Sequence, residues 1–166
     1  LVECGRAVGV RTAQVELRAD VVINCAGMWA HELGARAGTT LPLHAAEHFY
    51  IVTEPMAGLS ASMPVLRDPD GCAYFKEDAG KLLVGAFEPK AKPWGVNGIS
   101  EDFCFTELPE DFDHFQPVLE GAIHRVPKLE ETGIRKFFNG PESFTTDQRY
   151  LLGPAAEVKN FFVGAG

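Results

Sequence analysis

The chain has 166 residues, 46% hydrophobic and 23% charged, with 15 Lys and Arg against 23 Asp and Glu for a formal charge of −8. This is the composition of a soluble globular protein, and its acidic balance argues against nucleic acid or an anionic membrane as partner, although a site of local positive charge could still take a small anionic substrate. No apolar run approaches the roughly 20 residues of a membrane span, and no signal peptide opens the chain.

Residues 1–24 read as a β-meander. Gly9-Val10-Arg11-Thr12 and Gln14-Val15-Glu16-Leu17 alternate polar and apolar around a turn. Val21, Val22 and Ile23 then form a β-branched run suited to a parallel strand buried on both faces. Ala26 and Gly27 follow as a small-residue turn, and Trp29 to Ala37 reads as a short helix closed by Gly38. A strand leading through such a turn to a helix N-terminus can present backbone N–H groups to an anion, and an ordinary packing turn has the same pattern. Thr39 to Pro42 is a linker, with a domain boundary near residue 40.

Residues 43–54 predict a strand. His48, Tyr50 and Val52 share one face, and Phe49, Ile51 and Thr53 the other. Residues 64–89 predict an antiparallel array with turns at Asp68-Pro69-Asp70-Gly71, where Gly accepts a positive φ, and at Asp78-Ala79-Gly80. Residues 89–108 are rich in Pro and Gly and read as a loop containing Trp94. An apolar stripe of Phe112, Phe115, Leu119, Ala122, Ile123 and Val126 predicts a helix over 110–126. Pro109 suits its first turn, Pro117 should kink or split it, and Pro127 ends it. Residues 133–139 predict a strand, 140–153 a long loop, and Phe161-Phe162-Val163 a final buried strand running into Gly164-Ala165-Gly166. The start at Leu1 and the stop in a glycine turn read as the ends of a piece of a longer polypeptide, so the functional expectations concern that parent.

Cys4, Cys25, Cys72 and Cys104 form no CxxC pair and have no His at metal-ligand spacing, so no metal is expected and a reducing compartment is the simpler setting. Cys25, within the apolar strand, is expected to be a buried free thiol.

Four stretches in order carry a family resemblance: Val21–Trp29 (VVINCAGMW), His48–Glu54 (HFYIVTE), Gly140–Asp147 (GPESFTTD) and Phe161–Gly166 (FFVGAG). Together they resemble the D-amino-acid-oxidase-like FAD-dependent oxidoreductases, most closely the branch of dimethylglycine and sarcosine dehydrogenases. A regulatory subunit of pyruvate dehydrogenase phosphatase belongs to the same branch. The resemblance implies a fold of class α/β and α+β: the later part of a Rossmann-type FAD-binding domain (1–40), a substrate domain of mixed or antiparallel sheet (41–139), and a return segment to the FAD-binding domain (140–166). The family's GxGxxG fingerprint and the histidine that links flavin in the dimethylglycine and sarcosine enzymes are absent from these residues.

The implied function is oxidation of the C–N bond of an N-methylated amino acid by hydride transfer to FAD, with a non-catalytic regulatory flavoprotein as the alternative. Family position puts Ala26, Gly27 and Trp29 near the FAD diphosphate. It puts Ser143, Phe144, Thr145, Gly164 and Gly166 near the flavin ring, where Gly lets the backbone approach closely. His48, Tyr50 and Tyr74 are the substrate-side candidates. Hydride loss needs a neutral amine with an available lone pair, and a neutral imidazole can take the amine proton or orient the substrate. Tyr hydroxyls can bind a carboxylate or shape a cage around methyl groups. The bland alternative for all three is a half-buried sheet residue. FAD is the expected cofactor, with tetrahydrofolate a second in a full-length parent. A small amine is the expected partner, the electron acceptor is open, and the location is the cytoplasm or the mitochondrial matrix.

Overall fold

The computed structural model describes residues 1–87 and 89–166. In chain order the strands and helices are β1 (Val2–Glu3), β2 (Arg6–Ala7), β3 (Gly9–Arg11), β4 (Glu16–Arg18), β5 (Val22–Asn24), α1 (Ala30–Ala37), β6 (Leu43–Thr53), β7 (Leu66–Asp68), β8 (Ala73–Asp78), β9 (Lys81–Ala86), β10 (Lys92–Pro93), α2 (Phe112–Arg125), β11 (Ile134–Thr145), β12 (Leu151–Pro154) and β13 (Phe161–Ala165). They form two compact units, one of residues 1–46, 93–103 and 142–166, the other of residues 47–92 and 104–141. The fold is mixed α/β with several antiparallel sheets.

In the first unit β13 lies between β12, antiparallel, and β5, parallel, with Val163 opposite Asn24. Ala7, Ala30, Leu41, Leu43, Val158, Phe161 and Val163 form its core. The helix expected after the turn is present, entered through a 3-10 turn at Gly27–Trp29 and capped by Gly38 at φ 88°. Gly suits that left-handed position because it has no Cβ to clash.

The expected strand buried on both faces is not what forms. Val21 is 48% and Ile23 64% exposed, and Cys25 is an exposed thiol rather than a buried one. The reason is position. β5 pairs on one side only, with β13, so among the described residues it is an edge strand. Asn24 is the buried member of the run, at 1%.

The second unit is built on a sheet of order β10-β6-β9-β8-β7, with β11 also pairing with β6. The antiparallel array expected over 64–89 is present as β7, β8 and β9; Glu88, which that array included, lies outside the described residues. At its first turn Cys72, not Gly71, takes the positive φ of 53°. Asp68 Oδ1 accepts from the Gly71 N–H at 3.2 Å and shapes that turn.

The alternation predicted for β6 appears in space. Phe49 and Ile51 enter a core with Phe75, Leu82, Val84 and Phe137 of the sheet and Phe115, Val118 and Ala122 of α2. The opposite face carries His48 and Tyr50, because successive strand residues point to opposite sides.

Three expectations are corrected here: a split of the helix at Pro117, a first turn at Pro109 and a loop over 140–153. α2 runs unbroken past Pro117, and Asp111 rather than Pro109 opens it, its side chain accepting from the His114 N–H. The missing Pro N–H costs one hydrogen bond, which the buried stripe of α2 outweighs. β11 continues to Thr145 through residues expected to be loop, and Leu151–Pro154 is a strand. Gly140 and Pro141 look like loop formers, yet both sit within β11, a strand that pairs with β6, and local propensity does not reveal such pairing between distant segments.

Candidate functional site

Two sets of candidate residues come together, one in each unit. In the first unit, β5 and β13 run parallel and end side by side, and the turn after β5 carries Ala26, Gly27 and Trp29. Asn24 sets this turn. Its Nδ2 donates to Ala30 O at 2.9 Å, and its Oδ1 accepts from the Ala26 N–H at 3.2 Å. Among the described residues no side chain caps the 3-10 turn that follows Ala26, and within it the Trp29 N–H donates to Ala26 O at 3.1 Å. Gly27 is exposed at φ 56°, with nothing within 4 Å of an added Cβ.

Across the strand pair, a Cβ on Gly164 would sit 3.2 Å from the Cys25 sulfur. At the end of β13, a Cβ on Gly166 would lie 2.6 Å from Thr145 Cγ2, so these two candidates are close neighbours. Ser143, Phe144 and Thr145 are half-buried on β11 rather than in the expected loop. The turn after β5 and close backbone approach at the carboxyl ends of parallel strands fit an anionic dinucleotide.

In the second unit, Arg67, Tyr74, Gly85 and Tyr50 form one row across β7, β8, β9 and β6. The His48 ring stacks on Phe87 at 4.7 Å between centroids and lies 6.5 Å from the Tyr74 ring. Its Nε2 is 3.4 Å from the Tyr74 hydroxyl. The structure therefore brings His48 and Tyr74 together. Tyr50 shares their face but stacks on Phe138 at 4.5 Å. Burial first, and the charge of Glu107 second, push the Tyr50 phenol up from its ordinary value, which keeps the hydroxyl a donor.

Gly85 makes this face possible. A Cβ there would lie 2.3 Å from Tyr74 Cζ and Oη, so the tyrosine ring lies across the glycine. Gly85, Phe87, Phe138 and Arg67 were missed in the sequence. A signal existed for the first: a Gly inside the apolar run Leu83-Val84-Gly85-Ala86 marks a close approach. Phe87 follows at period two, but nothing local says which strand stands beside it.

The structure of L-proline dehydrogenase from P. horikoshii superposes with TM-score 0.79 at 20% identity, covering 100% of this chain and 42% of that one, a likeness of fold. The FAD dependent oxidoreductase profile, DAO, matches residues 2–166, and the chain belongs to that family. Human mitochondrial sarcosine dehydrogenase is 42% identical over 97% of this chain and 17% of its own length. The mouse mitochondrial pyruvate dehydrogenase phosphatase regulatory subunit is 38% identical over 100% of this chain and 19% of its own. Human mitochondrial dimethylglycine dehydrogenase is 32% identical over 95% and 19%. The chain thus spans less than a fifth of these relatives. No described helix is long and apolar enough to cross a membrane.

Proposed function

We propose that the protein containing this chain oxidises the C–N bond of an N-methylated amino acid, sarcosine or dimethylglycine, with FAD. Bound FAD would supply the acceptor for the hydride leaving the carbon beside nitrogen. Ala26, Gly27 and Trp29 would hold its diphosphate, and Ser143, Phe144, Thr145, Gly164 and Gly166 would lie against the flavin ring. The domain assignment stands on the same proposal: 1–40 and 140–166 to the cofactor, 41–139 to the substrate.

His48, Tyr74 and Tyr50 form the substrate side. The His48 imidazole accepts the ammonium proton or holds the neutral amine with its lone pair aligned. The Tyr74 hydroxyl, 3.4 Å from Nε2, fixes the imidazole orientation and offers the substrate a hydrogen bond. The Phe87 and Tyr74 faces attract a methylammonium group through their ring quadrupoles and exclude water around it. The carrying observation is this contact of His48 and Tyr74 on a face of stacked rings. Identity to sarcosine and dimethylglycine dehydrogenases supports the substrate class. The mitochondrial relatives favour the matrix over the cytoplasm. Tetrahydrofolate as one-carbon acceptor belongs to the same proposal, with no residue of this chain assigned to it.

The test is the visible spectrum of the full-length protein, titrated without oxygen with each amine. Bleaching of flavin bands by sarcosine or dimethylglycine is the expected result, and flavin that neither amine reduces overturns it. A second reading, a non-catalytic regulator, has its own support in the 38% identity to the phosphatase regulatory subunit. Flavin bound but unreduced by any N-methyl amino acid favours it.

A further inference from the structure

Residues 94–110 join β10 to α2 and form no strand or helix among the described residues. None of them is buried: Trp94, Gly95, Ile99, Phe103 and Leu108 are half-buried and the others exposed, Val96 at 70%. A stretch with so little buried surface opens at low cost unless polar contacts hold it. Both of its ends are anchored. Lys92, just before it, donates to Asp111 Oδ2, just after it, at 2.7 Å and to Glu47 Oε1 of β6 at 3.2 Å. The Trp94 N–H donates to Ala45 O at 2.9 Å. At the far end the Leu108 N–H donates to Asn139 O, Asn139 Nδ2 donates to Pro109 O, and Lys136 pairs with Glu107, each at 2.8 Å.

The middle is held differently. Among the described residues one hydrogen bond joins residues 95–106 to the rest of the chain, from the Ile99 N–H to Glu32 Oε1 at 2.7 Å. A Cβ on Gly98 would lie 3.6 Å from the same oxygen, so the backbone comes close to the carboxylate. Glu32 is half-buried in the first turn of α1. The other bonds of this stretch are internal. The Gly98 N–H donates to Gly95 O and the Phe103 N–H to Ser100 O, both at 3.0 Å, and the Trp94 ring packs on Phe103 at 4.7 Å between centroids.

We propose that residues 94–110 are a strap, fixed at both ends and closed onto α1 by one releasable latch, the Glu32 carboxylate on the Ile99 N–H. A hydrogen bond to an ionised acceptor is stronger than a neutral one, so the latch holds the strap shut. Being single, it also releases in one step. The internal bonds and the Trp94–Phe103 pair let the strap lift as one piece, while the anchors at Lys92, Asp111 and Asn139 stay closed. This device stands apart from the amine-oxidising reading.

The test is amide hydrogen exchange, read by mass spectrometry on the full-length protein. In wild type the peptides covering 95–103 should exchange more slowly than an unstructured chain. Glu32→Ala should speed them by about tenfold or more and leave α1, β6 and residues 108–111 as they were. Glu32→Gln keeps an acceptor oxygen in place and should recover part of the protection. Lys92→Met should instead speed exchange over 104–111, which separates anchor from latch. Four results overturn the proposal: no protection of 95–103 in wild type, no change with Glu32→Ala, a Gln variant as fast as the Ala variant, or faster exchange that spreads through α1 and β6. Unchanged exchange over 104–111 in Lys92→Met overturns it as well.

Discussion

At the scale of single residues, Gly85 carries a sharp expectation. Gly to Ala inside a strand normally gains about 0.5–1 kcal/mol from backbone entropy. Here the new Cβ would stand 2.3 Å from the Tyr74 ring, and the ring must move. Overpacking of this kind costs about 1–3 kcal/mol, so the clash wins. Gly85→Ala should lower the thermal midpoint and break the His48 contact, and adding Tyr74→Ala should recover stability, a non-additivity that a double-mutant cycle measures. Asp111 is a second case. Hydrogen bonds from Lys92 at 2.7 Å and then from the His114 N–H at 3.0 Å hold its carboxyl below the usual range. A lowered folded value means that its contribution is complete above the unfolded value of about 3.9 and is lost as pH falls through the folded one. Lys92 is raised, chiefly by Asp111, so its contribution is complete below about 10.4 and is lost as pH climbs through the raised value. Thermal midpoints against pH should show both limbs. Asp111→Asn keeps the helix cap and should flatten the acid limb, whereas Asp111→Ala also loses the cap, at about 1 kcal/mol.

At the scale of elements, α2 was legible from its stripe and its end at Pro127, and its continuity past Pro117 was not. Local chemistry makes Pro a breaker, but Phe115, Val118 and Ala122 are buried on both sides of it. Pro117 is exposed and blocks the bond its N–H would make to Asp113 O. Pro117→Ala should therefore stabilise the protein by about 1–2 kcal/mol, the interior-helix penalty of Pro less the entropy it removes from the unfolded chain, read as a rise in thermal midpoint. β11 teaches the converse. Asn139 lies within it, 2% exposed, and its Nδ2 donates to Glu47 Oε2 at 2.6 Å and to Pro109 O at 2.8 Å. Asn139 was expected as the last residue of a strand with a loop from Gly140, but the strand runs on through Gly140 and Pro141 to Thr145, beside a side chain bonded to a residue 92 positions away.

At the scale of the whole molecule, composition argued against a nucleic-acid partner, and the order of four motifs pointed to the family to which the chain belongs. The same scale governs its handling in solution. Val21, Ile23, Leu152 and Phe162 line an open apolar groove at the edge strand β5, with Leu152 79% exposed. Unpaired edges with apolar side chains promote association. These 166 residues expressed alone should self-associate, and Ile23→Thr with Leu152→Thr should raise the monomer fraction in sedimentation.

Period-two alternation in residues 43–54 determined that His48 and Tyr50 would share a face, because strand geometry leaves that no freedom. The Gly38 cap and the turns of the β7–β9 array were equally local, set by backbone sterics within a few residues. Strand neighbours were not local. Only the tertiary structure placed Tyr74, Gly85 and Arg67 in one row with Tyr50, laid Phe87 against His48, and left β5 an edge. Those outcomes depend on which strand pairs with which and in what register. Hydrogen bonds between distant segments decide that, and the alternation of a single strand carries no record of it.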